Sequence, residues 1–303
     1  MKGSVQELVI ISGKGGTGKT SIAASFAALA DKVVLADCDV DAADLYLILT
    51  PEVKRREVFR SGRRAAIRQS DCAKCGECAT LCRFDAVRRL ERRDGTVAYA
   101  INPTACEGCG VCVRFCPRQA IDFPEQMCGE WLVSDTRFGP MVHARLGIAA
   151  ENSGKLVSVV RSEARQVAKA RGLDSVLIDG SPGIGCPVIA SLTGANLALV
   201  VTEPTVSGEH DLERVLQLTK HFGIPAVVCV NKWDLNAILT ERIERTARTH
   251  GAAVANRVRY DKAVTSAQIR AQAVVERDSE AADDVRALWR NVVDIGSNHD
   301  IRL

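Results

Sequence analysis

The chain has 303 residues, 47% of them hydrophobic, and a net charge of +3. That length and apolar content suffice for one large core or two smaller ones and argue against a disordered chain, and the charge is too small to argue for nucleic acid as a partner. No run of about 18 apolar residues occurs and "MKGSVQELVIIS" leads directly into a strand and a loop, so neither a transmembrane helix nor a signal peptide is expected, and the reading is cytoplasmic with no stable membrane anchoring. Of the twelve cysteines, eight fall in two runs of matching spacing, which in such a chain points to metal rather than disulfides.

The first predicted strand covers 8 to 12 and is followed by "GKGGTGKT" (13 to 20) and an apolar helix over 18 to 30. Strand, glycine-rich turn, Lys-Thr and helix in this order form a phosphate loop. Gly13, Gly15, Gly16 and Gly18 let the backbone wrap closely around phosphate, with Thr17 and Ser21 in the same cradle. Lys19 faces the terminal phosphates and Thr20 offers a hydroxyl to Mg²⁺.

A strand over 32 to 39 ends in "ADCDVDAADL", after which the α/β rhythm stops. Between about 51 and 125 strand-length apolar runs vanish, and 15 Lys/Arg stand against 10 Asp/Glu. This reads as an inserted small domain containing "CAKCGECATLC" (72 to 82) and "CEGCGVCVRFC" (106 to 116). Three cysteines spaced C-x2-C-x2-C wrap three corners of a 4Fe-4S cube, and a more distant fourth completes it. Zinc is the structural alternative, although zinc sites seldom use three evenly spaced cysteines with a remote fourth. The second run ends in Cys-Pro, whereas the first has Arg83 where the proline is expected. The arginine density reads as a solvated face offsetting cluster charge or as a docking patch for an acidic electron partner.

The rhythm resumes near 130 to 135. The polar stretch 133 to 147 reads as a β-turn-β excursion or as a partner or anion contact through His143 with Arg137 or Arg145. Helices follow over 155 to 171, 207 to 222 and 236 to 250, with strands over 175 to 180, 196 to 203, 226 to 231 and 252 to 258. Such runs imply a mostly parallel sheet with helices on both faces. Cys38 and Cys229 read as small core residues. His210, His221, His250 and His299 show no ligand spacing. Near the C-terminus Val285, Leu288, Trp289 and Val292 share one helical face, which reads as packing on the domain rather than on a membrane.

The second lysine of "KGGTGKT", with "VVLADCDVDAADL" and "VLIDGSPGIG", resembles the MinD/ParA/Mrp ATPases, a superfamily that includes the nitrogenase iron protein. The closest resemblance is to members carrying an inserted two-cluster ferredoxin domain, and it extends to about residue 276. It implies a doubly wound, mostly parallel α/β P-loop NTPase with a deviant Walker A loop, over 1–50 and 126–276. An α+β bacterial-type ferredoxin domain is expected over 51–125, and 277–303 lies outside the resemblance as a helix and tail. It further implies that Lys14 reaches across a dimer, and that Asp39 orients the attacking water or a magnesium-bound water with Asp37 in support. Asp179 would lie near Mg²⁺, and Gly183 would sense the terminal phosphate. Two-cluster ferredoxins cross their fourth ligands, which implies Cys72, Cys75, Cys78 and Cys116 on one cube and Cys106, Cys109, Cys112 and Cys82 on the other. By likeness to the iron protein, Cys186 could bind a cluster shared between subunits, with Cys128 as a second ligand.

"VNKWDLN" leaves the base open: Asp234 could accept the N1 and N2 hydrogens of guanine, while the double-lysine loop resembles ATP users, in which an asparagine placed like Asn231 contacts adenine. The expected function is an ATPase, homodimeric or paired with a paralogue, that couples ATP and Mg²⁺ to electron transfer through two 4Fe-4S clusters toward a redox partner protein. A partner-positioning or redox-sensing ATPase and an Mrp-like cluster carrier remain as alternatives.

Overall fold

The computed structural model describes residues 5–147 and 153–298. His299 lies outside them. Contacts divide the chain into two compact units. One comprises the described residues of Met1–Glu57, Glu130–Leu146 and Ser153–Leu303; the other comprises Val58–Gly129 together with Gly147.

The first unit is built on a sheet whose central strands are short apolar runs buried along their length, as a sheet covered on both faces requires. These are β1 (Gln6–Ser12), β2 (Val33–Asp37), β10 (Ser175–Pro182), β11 (Leu197–Thr202) and β12 (Ala226–Val230). The order of the nine-stranded sheet is β13-β12-β11-β1-β10-β2-β9-β8-β3. β1 runs parallel to both β10 and β11, and β10 runs parallel to β2. Their carboxyl ends therefore share one edge, and that edge is where open α/β sheets bind ligands. The stretch expected as a strand over 252 to 258 is mostly extended loop: only β13 (Ala253–Val254) pairs, with a lone bridge from Asn231 to Val258.

The expectation that strand-length runs vanish after residue 51 is corrected by β3 (Glu52–Arg63) and β8 (Glu125–Thr136), twelve residues each. β3 is almost wholly exposed and carries five Lys/Arg, so it has the polar face of a sheet edge and no apolar run that sequence reading could detect. Its first residues are part of the first unit, and the second unit accordingly spans 58–129 rather than 51–125. The stretch after residue 130 is a β-turn-β excursion, β8 turning at Arg137 and Phe138 into β9 (Gly139–Leu146).

Helix α1 (Lys19–Leu29) is apolar on nearly all sides and sits in the core through Ile22 and Phe26. The C-terminal α10 (Glu280–Ser297) packs Val285, Leu288 and Val292 into the same core, and Trp289 meets Phe26 edge to face at 4.8 Å.

The second unit is an internal repeat in which equivalent residues lie 34 positions apart, as Cys72 and Cys106 do. Helix α3 (Glu77–Leu81) corresponds to α4 (Val111–Arg114), and both follow a glycine with positive φ, Gly76 at 81° and Gly110 at 75°. Left-handed conformations recur at Lys74 and Gly108 (58° and 61°) and at Asp85 and Gln119 (48° and 49°). The hairpin β5 (Val87–Glu91) with β6 (Val97–Ile101) and the pair β4 (Ala66–Ile67) with β7 (Ile121–Asp122) complete the two halves. Because Asp85 and Gln119 share one conformation, the chain leaves both cysteine runs by the same turn, with Arg83 in one and Pro117 in the other.

Candidate functional site

At the carboxyl edge of the central strands, the turn from β1 into α1 is shaped by glycines with specific reasons to be glycine. A Cβ on Gly13 would lie 2.5 Å from Asp211 Cβ, and one on Gly18, whose φ is +90°, would lie 2.3 Å from Asn231 Nδ2. Gly18 caps α1 without a side-chain acceptor and the first turn of α1 has no acidic residue, so its leading N–H groups and helix dipole are presented to an anion.

Lys19, 5% exposed, sits in the first turn of α1. Its Nζ is 2.8 Å from Asp179 Oδ1 and 3.2 Å from Asp39 Oδ2. Asp179 lies on β10, directly in register with Asp37 on β2. Burial works against the Lys19 charge, but Asp179 and Asp39 outweigh it and raise its pKa. Asp37 is fully buried, and burial with the neighbouring Asp179 pushes its carboxyl well above the ordinary range. Asp39 is shifted upward as well, chiefly by burial, against the pull of Lys19. Asp37 Oδ1 accepts the Asp39 N–H, while Asp37 Oδ2 and Asp179 Oδ2 are buried without a hydrogen-bond partner. One ammonium thus faces three carboxylates, two of which carry an unsatisfied oxygen: a donor set suited to a hard divalent cation.

Around this centre, Thr20 Oγ1 lies 3.5 Å from Lys19 Nζ, and Ser21 Oγ accepts from Gln268 Nε2. Cys38 N–H bonds to Asp179 O, Ser181 Oγ donates to Cys38 O, and Gly183 N–H donates to Ser12 O. The segment after Asp179 is therefore tied to the ends of both β1 and β2. Lys14 ion-pairs with Glu203 at 2.6 Å and contacts Thr205 and Ser207. Lys232 also bonds Glu203 and the Gly16 carbonyl. Burial favours the neutral form of Glu203, yet the two lysines hold its carboxyl below the ordinary range.

Beside the loop lies a cavity lined by Gly16, Gly18, Ser21, Asn231, Lys232 and a segment that sequence reading missed, including Tyr260, Asp261 and Gln268. Asn231 holds the loop through Nδ2 to the Thr17 carbonyl and takes the Lys232 N–H on Oδ1. Asp234 is absent from the lining; its Oδ1 accepts the Tyr260 N–H, so it shapes the cavity wall. The only signal for this wall was the capping residue Asp261 before helix α9 (Lys262–Ile269).

Three further expectations are corrected. His143 is 2% exposed, bonded to Ser134 Oγ at 2.8 Å, and pushed down to about 4 by burial and by Arg145, so it is a neutral core residue. Arg137 is bound to Glu276 and the Ile48 carbonyl, and Arg145 stacks on Tyr46. Cys128 is buried, its thiol 3.0 Å from the Ser61 carbonyl, which removes it as a ligand shared between subunits. Cys186 is exposed at the first position of helix α6 (Cys186–Leu192). Cys38 and Cys229 are fully buried.

In the second unit, Cys72, Cys75, Cys78 and Cys116 line one cavity, and Cys82, Cys106, Cys109 and Cys112 line another. Each cavity takes three cysteines from one run and the fourth from the other. Among the described residues no three His, Cys, Asp or Glu side chains converge on a single metal position. The Cys112 thiol is pushed up to about 11 by burial and then by Cys106, Cys109, Cys78 and Cys82, so it feels both sets of four.

Residues 8–274 match the family of CobQ/CobB/MinD/ParA nucleotide-binding domains. The chain belongs to this family. It is 33% identical over 245 residues to the uncharacterized protein MJ0578 of Methanocaldococcus jannaschii, covering 78% of this chain and 81% of that protein. Among solved structures it is similar to MinD of Pyrococcus horikoshii in complex with Mg-ADP (TM-score 0.57, 16% identity, 97% of this chain and 98% of that one). It is also similar to the cell division ATPase MinD of Pyrococcus furiosus (TM-score 0.56, 16% identity, 96% and 99%). These likenesses fix the fold: an α/β, mostly parallel MinD-like P-loop sheet. No described helix is long and apolar enough to cross a membrane.

Proposed function

We propose that the chain is an ATP-hydrolysing molecular switch of the MinD/ParA kind that recruits a partner and whose 58–129 unit carries two 4Fe-4S clusters. The observation that carries the nucleotide reading is the buried Lys19 among Asp37, Asp39 and Asp179 at the mouth of the phosphate loop. On binding ATP, Lys19 would exchange Asp179 for the terminal phosphates, and Thr20, Asp39 and Asp179 are the residues that would hold Mg²⁺. Asp39 orients the attacking water and Asp37 supports it from the neighbouring position. Lys14 leaves Glu203 to reach the nucleotide of a second copy or a paralogue. Asn231 and the wall from Tyr260 to Gln268 enclose the base, and the absence of Asp234 from the cavity lining favours ATP over GTP.

The cysteines support the cluster reading. Four thiols around each cavity with crossed fourth members suit two cubes. When bound, such clusters supply low-potential one-electron transfer. Thiols as crowded as Cys112 stay protonated alone and ionise when a metal offsets their charge.

The MinC:MinD complex of Aquifex aeolicus, a further solved structure similar to this chain, supports partner positioning. One observation favours electron transfer as the second reading: α3, which holds Cys78 of one cavity, packs against α4, which holds Cys112 of the other, the proximity an electron relay needs. Stable, reversibly reducible clusters support a relay, and clusters that pass to an apo-ferredoxin support a carrier.

The test is MgATP hydrolysis by wild type, Lys19→Ala and Asp39→Asn, with GTP in parallel. The proposal expects turnover of ATP above GTP in wild type and loss in both variants. Equal turnover in Lys19→Ala, or a preference for GTP, overturns the corresponding assignment.

A further inference from the structure

The repeat in the 58–129 unit allows its two cysteine cavities to be compared position by position, and they are not alike. Gly76 and Gly110 are equivalent turns in front of the two short helices, yet a different ring covers each. A Cβ on Gly76 would lie 2.5 Å from Tyr99 Oη, whereas one on Gly110 would lie 3.2 Å from Phe123 Cε1. Tyr99 lines the Cys72/Cys75/Cys78/Cys116 cavity and Phe123 the other. Tyr99 is 9% exposed, and its hydroxyl has no hydrogen-bond partner among the described residues.

A second equivalent pair differs in the same sense. Arg118, two residues after Cys116, lines the first cavity, and Phe84, two residues after Cys82, lines the second. The backbone repeats this bias: Lys74 N–H and Ala120 N–H each lie 3.4 Å from a cysteine sulfur, Cys72 and Cys116. Among the described residues, the equivalent Gly108 and Ala86 N–H groups make no such bond. Three groups could oppose the difference and do not. Asp71, which precedes Cys72 and feels the Arg118 charge, is ion-paired with Arg68 and is absent from the lining. Each cavity has one glutamate in its wall, Glu77 or Glu107, and these offset each other. Arg63, which stacks on Phe123 at 5.9 Å, is ion-paired with Glu125 and is absent from the lining.

Reduction adds negative charge to a cluster, so nearby cations and hydrogen-bond donors to sulfur raise its potential while an apolar wall lowers it. We propose that the two sites are built for unequal reduction potentials, the site of Cys72, Cys75, Cys78 and Cys116 being the higher, with Tyr99 and Arg118 as the residues that separate them. The inference rests on the cluster reading above. It makes the pair directional: an electron taken up from a low-potential donor comes to rest at the Tyr99 site, whichever site it enters first.

The experiment is a dithionite potentiometric titration of the anaerobically purified full chain, followed by electron paramagnetic resonance. Wild type is expected to show two one-electron waves. Tyr99→Phe and Arg118→Gln should each move the upper wave down and leave the lower one in place, and Phe123→Tyr should move the lower wave up. A single unresolved two-electron wave, or Tyr99→Phe and Arg118→Gln shifting the lower wave or neither, overturns the inference while leaving the clusters intact. Iron content separates the two failures, since a chain without about eight irons defeats the cluster reading itself. Tyr99→Phe retains the ring over Gly76, and Phe123→Tyr tests the same hydroxyl by adding it, so the outcome does not hang on one variant's folding.

Discussion

Lys19 Nζ bonds Asp179 Oδ1 at 2.8 Å, joining the first turn of α1 to the strand next to β1 and placing an ammonium between two carboxylates of the buried acidic cluster. Lys19→Ala removes that charge and leaves Asp37, Asp39 and Asp179 facing one another. ATP turnover should fall by about 10²-fold or more. In chelator, the variant should also lose on the order of 3 kcal/mol of stability, because a buried charge without its partner is costly. Adding Mg²⁺ should recover part of that loss, as measured by urea unfolding with and without the cation.

His143 makes a prediction with a definite sign. Its folded pKa is pushed from the ordinary 6.5 down to about 4, so the unfolded chain binds the extra proton between those values. Stability from this residue is present above pH 6.5 and is lost as pH falls toward 4, by about 3 kcal/mol at most. Asp37 acts in the opposite sense. Its raised pKa favours the protonated folded form, so its share declines as pH rises from about 4 through the folded value. The difference in unfolding free energy between wild type and His143→Gln isolates the histidine: it should grow from pH 4 to 6.5 and stay level above.

The phosphate loop distinguishes glycines by what surrounds them. Gly18→Ala places a methyl 2.3 Å from Asn231 Nδ2 at φ +90°, whereas a Cβ on Gly15 meets nothing within 4 Å. Gly18→Ala should destabilise the chain by about 1–3 kcal/mol and Gly15→Ala should not, as read by thermal unfolding without nucleotide.

The crossed cavities predict how paired cysteine losses combine. Cys75→Ser and Cys116→Ser affect one cavity, so the double variant should lose about four irons, no more than either single. Cys75→Ser with Cys82→Ser affects both cavities and should lose about eight. Iron and acid-labile sulfide analysis checks the pattern, and the reverse pattern would mean that each run binds its own cluster.

The features legible in the sequence were those enforced by local chemistry. Fully apolar runs marked β1, β2, β10, β11 and β12, and the Lys-Thr after clustered glycines marked the loop. β3 escaped because an exposed edge strand rich in arginine has no apolar alternation to detect. Tyr260 escaped because it lies in an irregular stretch without periodicity, and Gln268 because it lies on α9, a helix of only eight residues with little apolar patterning. His143 was misread for a related reason. A histidine in a stretch that also holds Asp135, Arg137 and Arg145 resembles a surface group until its register with Asp37 on β2 shows it to be interior. Arg83 departed from the expected proline, but the left-handed Asp85 that follows it holds the same turn as Gln119.

The central claim, that one chain joins a nucleotide switch to two iron-sulfur clusters, is tested most directly by the electron paramagnetic resonance spectrum of the reduced, anaerobically purified protein with MgADP and with MgATP. The account predicts signals from two interacting 4Fe-4S clusters that change between the two nucleotides in wild type and do not change in Lys19→Ala. An absence of cluster signal, or spectra identical with both nucleotides in wild type, would contradict it.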